Sequence, residues 1–295
     1  MQIYNIQTDA EGRELTHHGF DDFPCAFYDE KFSAFIGGEV PWHWHDEIEL
    51  VQVVAGSTLL ECVGGSTPLT VGDAVFVNAG TLHKMTQIGE QDCRILNFVL
   101  APQLIGGAKN SRVYKHYVYP VITNSELPYY KFSANSPWQS RAIKELERAF
   151  AASQQKNATY ELAVNLHLMR FWQLFCENQP SILASSQVSS VQQGRVQALL
   201  GFIHQHYRDS LSTAAMSKAA NISESECYRL FSSALKSTPN QYLLHYRLQQ
   251  AANQLIESSR PITEVAHNVG FNCPAYFAKR FKQAYGKTPK QFRRE

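Results

Sequence analysis

His43, His45 and Glu49 stand close together in the stretch PWHWHDEIEL. An extended chain turns alternate side chains to the same face, so these three odd-numbered positions can share one face of a strand. Imidazole nitrogens and a carboxylate on one face make a donor set for Zn, Mn or Fe. The same groups can also line a polar pocket for a small molecule without metal, or simply bond to the backbone. Trp42 and Trp44 interleave with the imidazoles and offer flat faces to a sugar or to their own barrel's packing.

Charge is distributed unevenly along the chain. The net charge of +1 conceals a carboxy-terminal part, residues 190–295, with 14 Lys and Arg against 6 Asp and Glu, and an amino-terminal part with 13 against 20. Phosphate contacts require Lys and Arg at the interface, so this balance points to nucleic acid as the partner of one end only. The basic part also repeats itself. RLFSSALKSTPNQY (229–242) aligns with KRFKQAYGKTPKQF (279–292) at an offset of 50 residues, matching Phe231 with Phe281, the two Thr-Pro pairs and Gln241 with Gln291.

Ahead of each repeat lies a short helix, a break and a second helix: 213–220, Asn221 and a helix from Ser223, then 262–269, Gly270 and a helix from about Asn272. This is the helix-turn-helix plan. Asn and Gly tolerate the left-handed conformation that reverses the chain. Ser223 and Glu226 form an S-x-x-E capping box, and Pro274 suits a first helical turn. In the first recognition helix Cys227, Leu230, Phe231 and Ala234 share a core face, leaving Glu224, Ser225, Tyr228, Arg229 and Ser232 outside. In the second, Phe277, Phe281, Ala284 and Tyr285 form the core set, with Ala275, Tyr276, Lys279, Arg280 and Gln283 outside.

The elements that position the histidines read as short strands up to about residue 133: FSAFI, EIELVQVVAG, STLLECVGG, AVFVNAG and CRILNFVLA. Their number and spacing predict an antiparallel barrel or sandwich. Ser136 caps a helix entered by Pro137, and a second helix starts near Asn157. That second helix is apolar on most sides between Leu162 and Phe175, which predicts cover from the barrel and from a second subunit. The Ser- and Gln-rich stretch 179–194 reads as a linker. The hydrophobic and charged content excludes disorder, no apolar run reaches the roughly 18 residues that span a bilayer, and no leader precedes the first strands, so the expected location is the cytoplasm and no membrane partner is expected. The six scattered cysteines lack a C-x-x-C pair and read as buried hydrophobes.

Two resemblances follow from these residues. R-L-x-x-A at Arg247–Ala251, I-T-E-V-A-x-x-V-G-F at Ile262–Phe271 and Y-F-x-x-x-F-K-x-x-x-G-x-T-P at Tyr276–Pro289 resemble the AraC/XylS signature. Gly37, His43, His45, Glu49 and Gly56 are similar to the first cupin motif, and Gly72, Gly80 and His83 to the second, with Asn78 and Gln87 departing from it. The first resemblance implies base contacts by Ser225, Tyr228 and Arg229 and by Ala275, Tyr276 and Lys279; Lys279 lacks the forked guanidinium common at its position. The second implies that His83 joins the other two histidines in a barrel interior, as an effector site with or without a divalent metal.

The expected architecture is α+β: a cupin-like antiparallel β-barrel over 1–135, dimerisation helices over 136–180, a linker over 181–194, and over 195–295 an all-α double helix-turn-helix domain joined by a helix through Tyr242–Ile256. The expected function is a one-component transcription regulator, not an enzyme, that binds double-stranded DNA as a homodimer and responds to a sugar or related metabolite. RNA polymerase is a further partner open to such a regulator. The rivals are a metal-dependent cupin enzyme and a constitutive DNA-binding protein whose barrel serves dimerisation alone.

Overall fold

The computed structural model describes residues 6–9, 12–63, 65–184, 191–235 and 237–293. Contacts divide the chain into two compact units, one of residues 1–6, 15–34 and 39–190 and the other of residues 7–14, 35–38 and 191–295.

The first unit is built on two antiparallel sheets. One has five strands in the order β1 (Cys25–Lys31), β8 (Arg94–Leu100), β3 (Ile48–Ala55), β6 (Ala74–Val77) and β9 (Tyr129–Phe132). The other has four, in the order β2 (Glu39–His43), β7 (His83–Gln87), β4 (Ser57–Cys62) and β5 (Gly65–Thr70). Alternation on the central strands separates two environments. Leu50, Phe76 and Phe98 pack outward against helices α3 (Pro137–Gln155) and α4 (Tyr160–Asn178), joined by Leu146, Phe150, Phe171 and Phe175. Phe98 and Phe150 stack with ring centroids 4.7 Å apart. Glu49, Val51 and Asn97, of the opposite parity, are buried on the inner side.

The Ser136 hydroxyl caps α3 by accepting from the Gln139 amide, with Pro137 in the first turn. On α4, Val164, Leu168, Phe171, Trp172 and Phe175 are buried, whereas Leu162, Leu166 and Met169 are 73%, 65% and 44% exposed. Those three lie at i, i+4 and i+7, a single stripe.

Three expectations are corrected. FSAFI is not a strand: Phe32–Ala34 is a 3-10 turn, and glycines 37 and 38 have φ of 76° and 69°, which no strand sustains. Much of 102–122 is helical, with α1 (Pro102–Gly106), a π turn (Tyr114–Val118) and α2 (Tyr119–Ile122), and Pro102 and Pro120 stand where a helix tolerates a missing N–H. The stretch 179–194 is not wholly linker. It contains α5 (Pro180–Ala184) and the start of α6 (Val191–His206), and Ile182 and Leu183 pack on the core. Its remainder, 185–190, lies outside the described residues.

The second unit is helical: α6, α7 (Thr213–Ala219), α8 (Glu224–Leu235), α9 (Pro239–Glu257), α10 (Ile262–Asn268), α11 (Pro274–Tyr285) and α12 (Pro289–Phe292). Thr238 and Thr288, one in each repeat, make full capping boxes with Gln241 and Gln291 and start α9 and α12. The long α9 packs against α8, α10, α11 and α12.

Candidate functional site

The two helix-turn-helix units form as the repeat requires. Asn221 turns the chain between α7 and α8 with φ of 55°, and Gly270 turns it between α10 and α11 with φ of 88°. At Gly270 a Cβ would lie 2.7 Å from the Tyr207 carbonyl oxygen and 2.9 Å from that of Arg208. Arg247 of the R-L-x-x-A stretch reaches the same place, donating Nε–H to the Tyr207 carbonyl at 2.6 Å and Nη2–H to that of Asp209 at 2.7 Å. These motif residues therefore lock α9 and the second turn to the end of α6.

Ser225, Tyr228 and Arg229 are exposed on α8, and Ala275, Tyr276 and Lys279 are exposed on α11. Cys227, Leu230, Phe231 and Ala234 are buried beneath the first group, and Phe277 and Phe281 beneath the second. Ala284 departs from its expected core role and is exposed, while Tyr285 is half-buried. Three of the outward side chains are already engaged, Ser225 among them with its hydroxyl 3.0 Å from that of Ser223. The Tyr228 hydroxyl lies 3.4 Å from that of Thr213, and Arg229 donates Nε–H and Nη2–H to the two oxygens of Glu226 at 2.7 and 2.6 Å. Glu226 departs from the expected capping box. The Ser223 hydroxyl does accept from the Glu226 amide at 3.2 Å, but the Glu226 carboxylate turns forward to Arg229. The hydrogen bond from Arg229 holds that carboxyl below its usual range.

In the first unit, His43, His45 and His83 are all buried and each offers a nitrogen within 4.8 Å of the others. Their convergence follows from strand register. His43 on β2 is paired with His83 on β7, and His83 with Cys62 on β4, so a row of three side chains crosses the small sheet. His45 follows His43 by two residues. Glu49 comes from β3 after the Asp46–Glu47 turn and places Oε2 2.9 Å from His83 Nε2 and 3.9 Å from His45 Nε2.

The backbone sets the chemistry of all three rings. Nδ1–H of His43, His45 and His83 donates to the carbonyls of Pro41, Glu47 and Thr81 at 2.9, 3.2 and 2.8 Å. A neutral imidazole that donates from Nδ1 carries its lone pair on Nε2. Such a second hydrogen bond, which fixes tautomer and ring orientation, is the usual support of a metal-ligating histidine. Asn97 donates Nδ2–H to Glu49 Oε1 at 2.7 Å, which orients the carboxylate in the same way. Burial opposes ionisation of Glu49, but the charge and hydrogen bond of His83 when its Nε2 is protonated, then the charges of His45 and His43, outweigh it and hold the carboxyl below its ordinary range. The three imidazole nitrogens so arranged, with the Glu49 carboxylate beside those of His83 and His45, are a donor set that suits a divalent metal ion.

The chain matches the model of a helix-turn-helix domain over residues 216–295 and that of a cupin domain over residues 36–99. It is 30% identical over 290 residues, 98% of either chain, to an uncharacterized HTH-type transcriptional regulator of Bacillus subtilis, YdeC. The chain belongs to the AraC family of transcription regulators. The regulator is also similar to the lactose operon transcription activator of Staphylococcus xylosus, 27% identical over 51% of this chain and 53% of that one. Among solved structures it is similar to apo ToxT of Vibrio cholerae, with a TM-score of 0.45, 11% identity and coverage of 94% and 98% of the two chains.

Some site residues were expected and others were not. Trp42 and Trp44, which flank His43 in the sequence, are half-buried, whereas His43 and His45 are buried. Asn97 and His18 were missed. His18 bonds through Nδ1 to the Tyr28 hydroxyl at 2.9 Å and stacks edge-on to His45 at 5.5 Å. Asn97 had a legible signal, a lone polar residue amid an apolar strand. His18 had none, as it lies ahead of β1 outside any strand pattern. Five cysteines of the regulator are buried, as expected, and Cys273 at the cap of α11 is exposed.

Proposed function

We propose that this AraC-family regulator senses a small oxygen-bearing metabolite in its barrel, at a divalent ion held by His43, His45, His83 and Glu49, and thereby changes how a homodimer presents α8 and α11 to DNA. The observation that carries this reading is the set of three Nδ1–H bonds to backbone carbonyls, which fixes three buried imidazoles with a nitrogen of each close to the others and a carboxylate beside them. When bound, the ion supplies a positive Lewis-acid centre for effector oxygens. The chain's own residues hold the donors in register, and Asn97 keeps Glu49 turned toward them. A relative named as the activator of a lactose operon supports a sugar or related effector.

The exposed stripe Leu162, Leu166 and Met169 supports α4 as the dimer surface. On the recognition helices, Ser225, Tyr228 and Arg229 with Ala275, Tyr276 and Lys279 are the residues we assign to base contacts; their exposure beside buried core faces supports this. An enzyme reading has less support, because the relatives are transcription regulators.

Elemental analysis of the intact protein tests the centre. About one divalent ion per chain is expected, and an ion-induced rise in melting temperature that His83→Ala abolishes, since water replaces a lost imidazole poorly. Absence of both would show that the cluster is a metal-free pocket. A panel of sugars should change operator affinity for the native chain and not for His43→Ala. If both histidine variants respond like the native chain, the barrel site is not the sensor.

A further inference from the structure

Glu226 is placed where a carboxylate is costly to DNA binding. It lies on the first recognition helix between two arginines, clamped to Arg229 one turn ahead and with Arg195 Nη1 of α6 3.9 Å from Oε1. A negative charge on a helix that approaches phosphates weakens association. The return in stability is small, because an exposed i,i+3 ion pair contributes little. What the carboxylate does supply is orientation. The Arg229 side chain is 61% exposed, and the clamp restrains rotamers that exposure leaves loosely packed.

The geometry of the clamp matters more than its energy. A guanidinium has five N–H donors in a planar fork. Glu226 takes the edge formed by Nε and Nη2. The adjoining edge, Nη1 with the second hydrogen of Nη2, presents two parallel donors that can pair with O6 and N7 of guanine. The clamp therefore restrains Arg229 without occupying the edge that reads a base. A side chain held before binding loses less freedom on binding.

We propose that Glu226 is a positioning residue for base recognition: it fixes Arg229 with its Nη1/Nη2 edge free, and so sets the guanine preference of the first recognition helix. The inference rests on the reading of Arg229 as a base contact. Two effects of opposite sign then separate it from a plain electrostatic role. Removing the carboxylate relieves repulsion from phosphate and raises affinity for every duplex. Removing the clamp lowers the preference for guanine at one position by about three- to tenfold, the cost of one unrestrained long side chain.

The test uses the intact chain and a pool of randomised DNA duplexes, comparing the native protein with Arg229→Ala, Glu226→Ala and Glu226→Gln. Arg229→Ala should erase a guanine preference at one position. Glu226→Ala should weaken the preference at that same position while binding an unrelated duplex as tightly as the native chain or more tightly. Glu226→Gln, which keeps an acceptor oxygen without the charge, should restore part of the preference. A Glu226→Ala protein that binds all duplexes more tightly with its guanine preference intact would overturn the proposal while leaving Arg229 as a base reader. Unchanged base preferences in Arg229→Ala would remove that reading and the proposal with it.

Discussion

His204 on α6 gives the DNA-binding unit a dependence on pH that can be worked from the structure. Its ring is buried, stacks on Tyr246 at 4.1 Å and lies with Nε2 2.9 Å from the Tyr242 hydroxyl; among the described residues Nδ1 meets no hydrogen-bond partner. A buried orphan acceptor costs less than a buried orphan N–H, which assigns the proton to Nε2. Charging the ring would place a second proton on Nδ1 with nothing to receive it. Burial accordingly pushes the group down from 6.5 to about 3.

The folded state then binds fewer protons than the unfolded state between these two values, so stability rises with pH across that window. The contribution is complete above about pH 6.5 and is lost progressively as the pH falls toward 3. At pH 5 the loss is about 2 kcal/mol, from about 1.4 kcal/mol per unit over the 1.5 units below the unfolded value. Amide hydrogen exchange of α6 and α9 in the intact chain reads it directly. Opening free energies should fall between pH 7 and pH 5 by about that amount beyond the intrinsic pH dependence of exchange, and His204→Phe, which keeps the stacking and cannot titrate, should flatten the trend. Equal slopes in the two proteins would refute the assignment of a neutral buried imidazole.

Two further outcomes follow from the geometry. Gly270→Ala adds a Cβ at φ of 88° and within 2.9 Å of two carbonyl oxygens; it should cost about 1–3 kcal/mol in denaturant unfolding and weaken DNA binding, and a neutral effect would deny the turn its role. Leu166→Glu combined with Met169→Glu should convert a dimer to a folded monomer in sedimentation whose melting temperature no longer depends on protein concentration, because both side chains are exposed; a persisting dimer would exclude this face of α4.

The carboxy-terminal unit was the more legible because its signals are local. A repeat offset, a left-handed turn residue and a Thr-Pro cap each act within a few residues, and Asn221, Gly270, Thr238 and Thr288 do what their types dictate. Glu226 is the exception, since a carboxylate at N3 has two partners within reach and the sequence does not choose between Ser223 and Arg229. In the barrel, period-two alternation placed His43 and His45 together. The same parity reached Glu49 by coincidence of count, because a turn separates β2 from β3, and applied to Trp42 and Trp44 it would have turned them away from the imidazoles. Asn97, His18 and the helices of 102–122 depend on pairings distant in sequence. The stretch 179–194 was misjudged because composition reports solvation better than conformation, and a few apolar side chains such as Ile182 and Leu183 suffice to dock a short helix.

A barrel site can affect DNA only if its ligand binds two arrangements of the protein with different affinity. Strand β3 is the element that such a difference would act on first. Its inner face carries Glu49, and its outer face carries Gln52, whose Nε2–H donates to Glu147 Oε1 on α3 at 3.0 Å. Leu50, on that same outer face, belongs to the aromatic core shared by the sheet, α3 and α4. Interiors packed at crystal density do not absorb a strand's displacement by compressing. A shift of Glu49 toward a ligand must therefore reappear at α3 and, through the extensive α3–α4 packing, at the helix that bears the exposed Leu162, Leu166 and Met169 stripe. In the proposed dimer this couples the contents of the barrel to the contact between two chains.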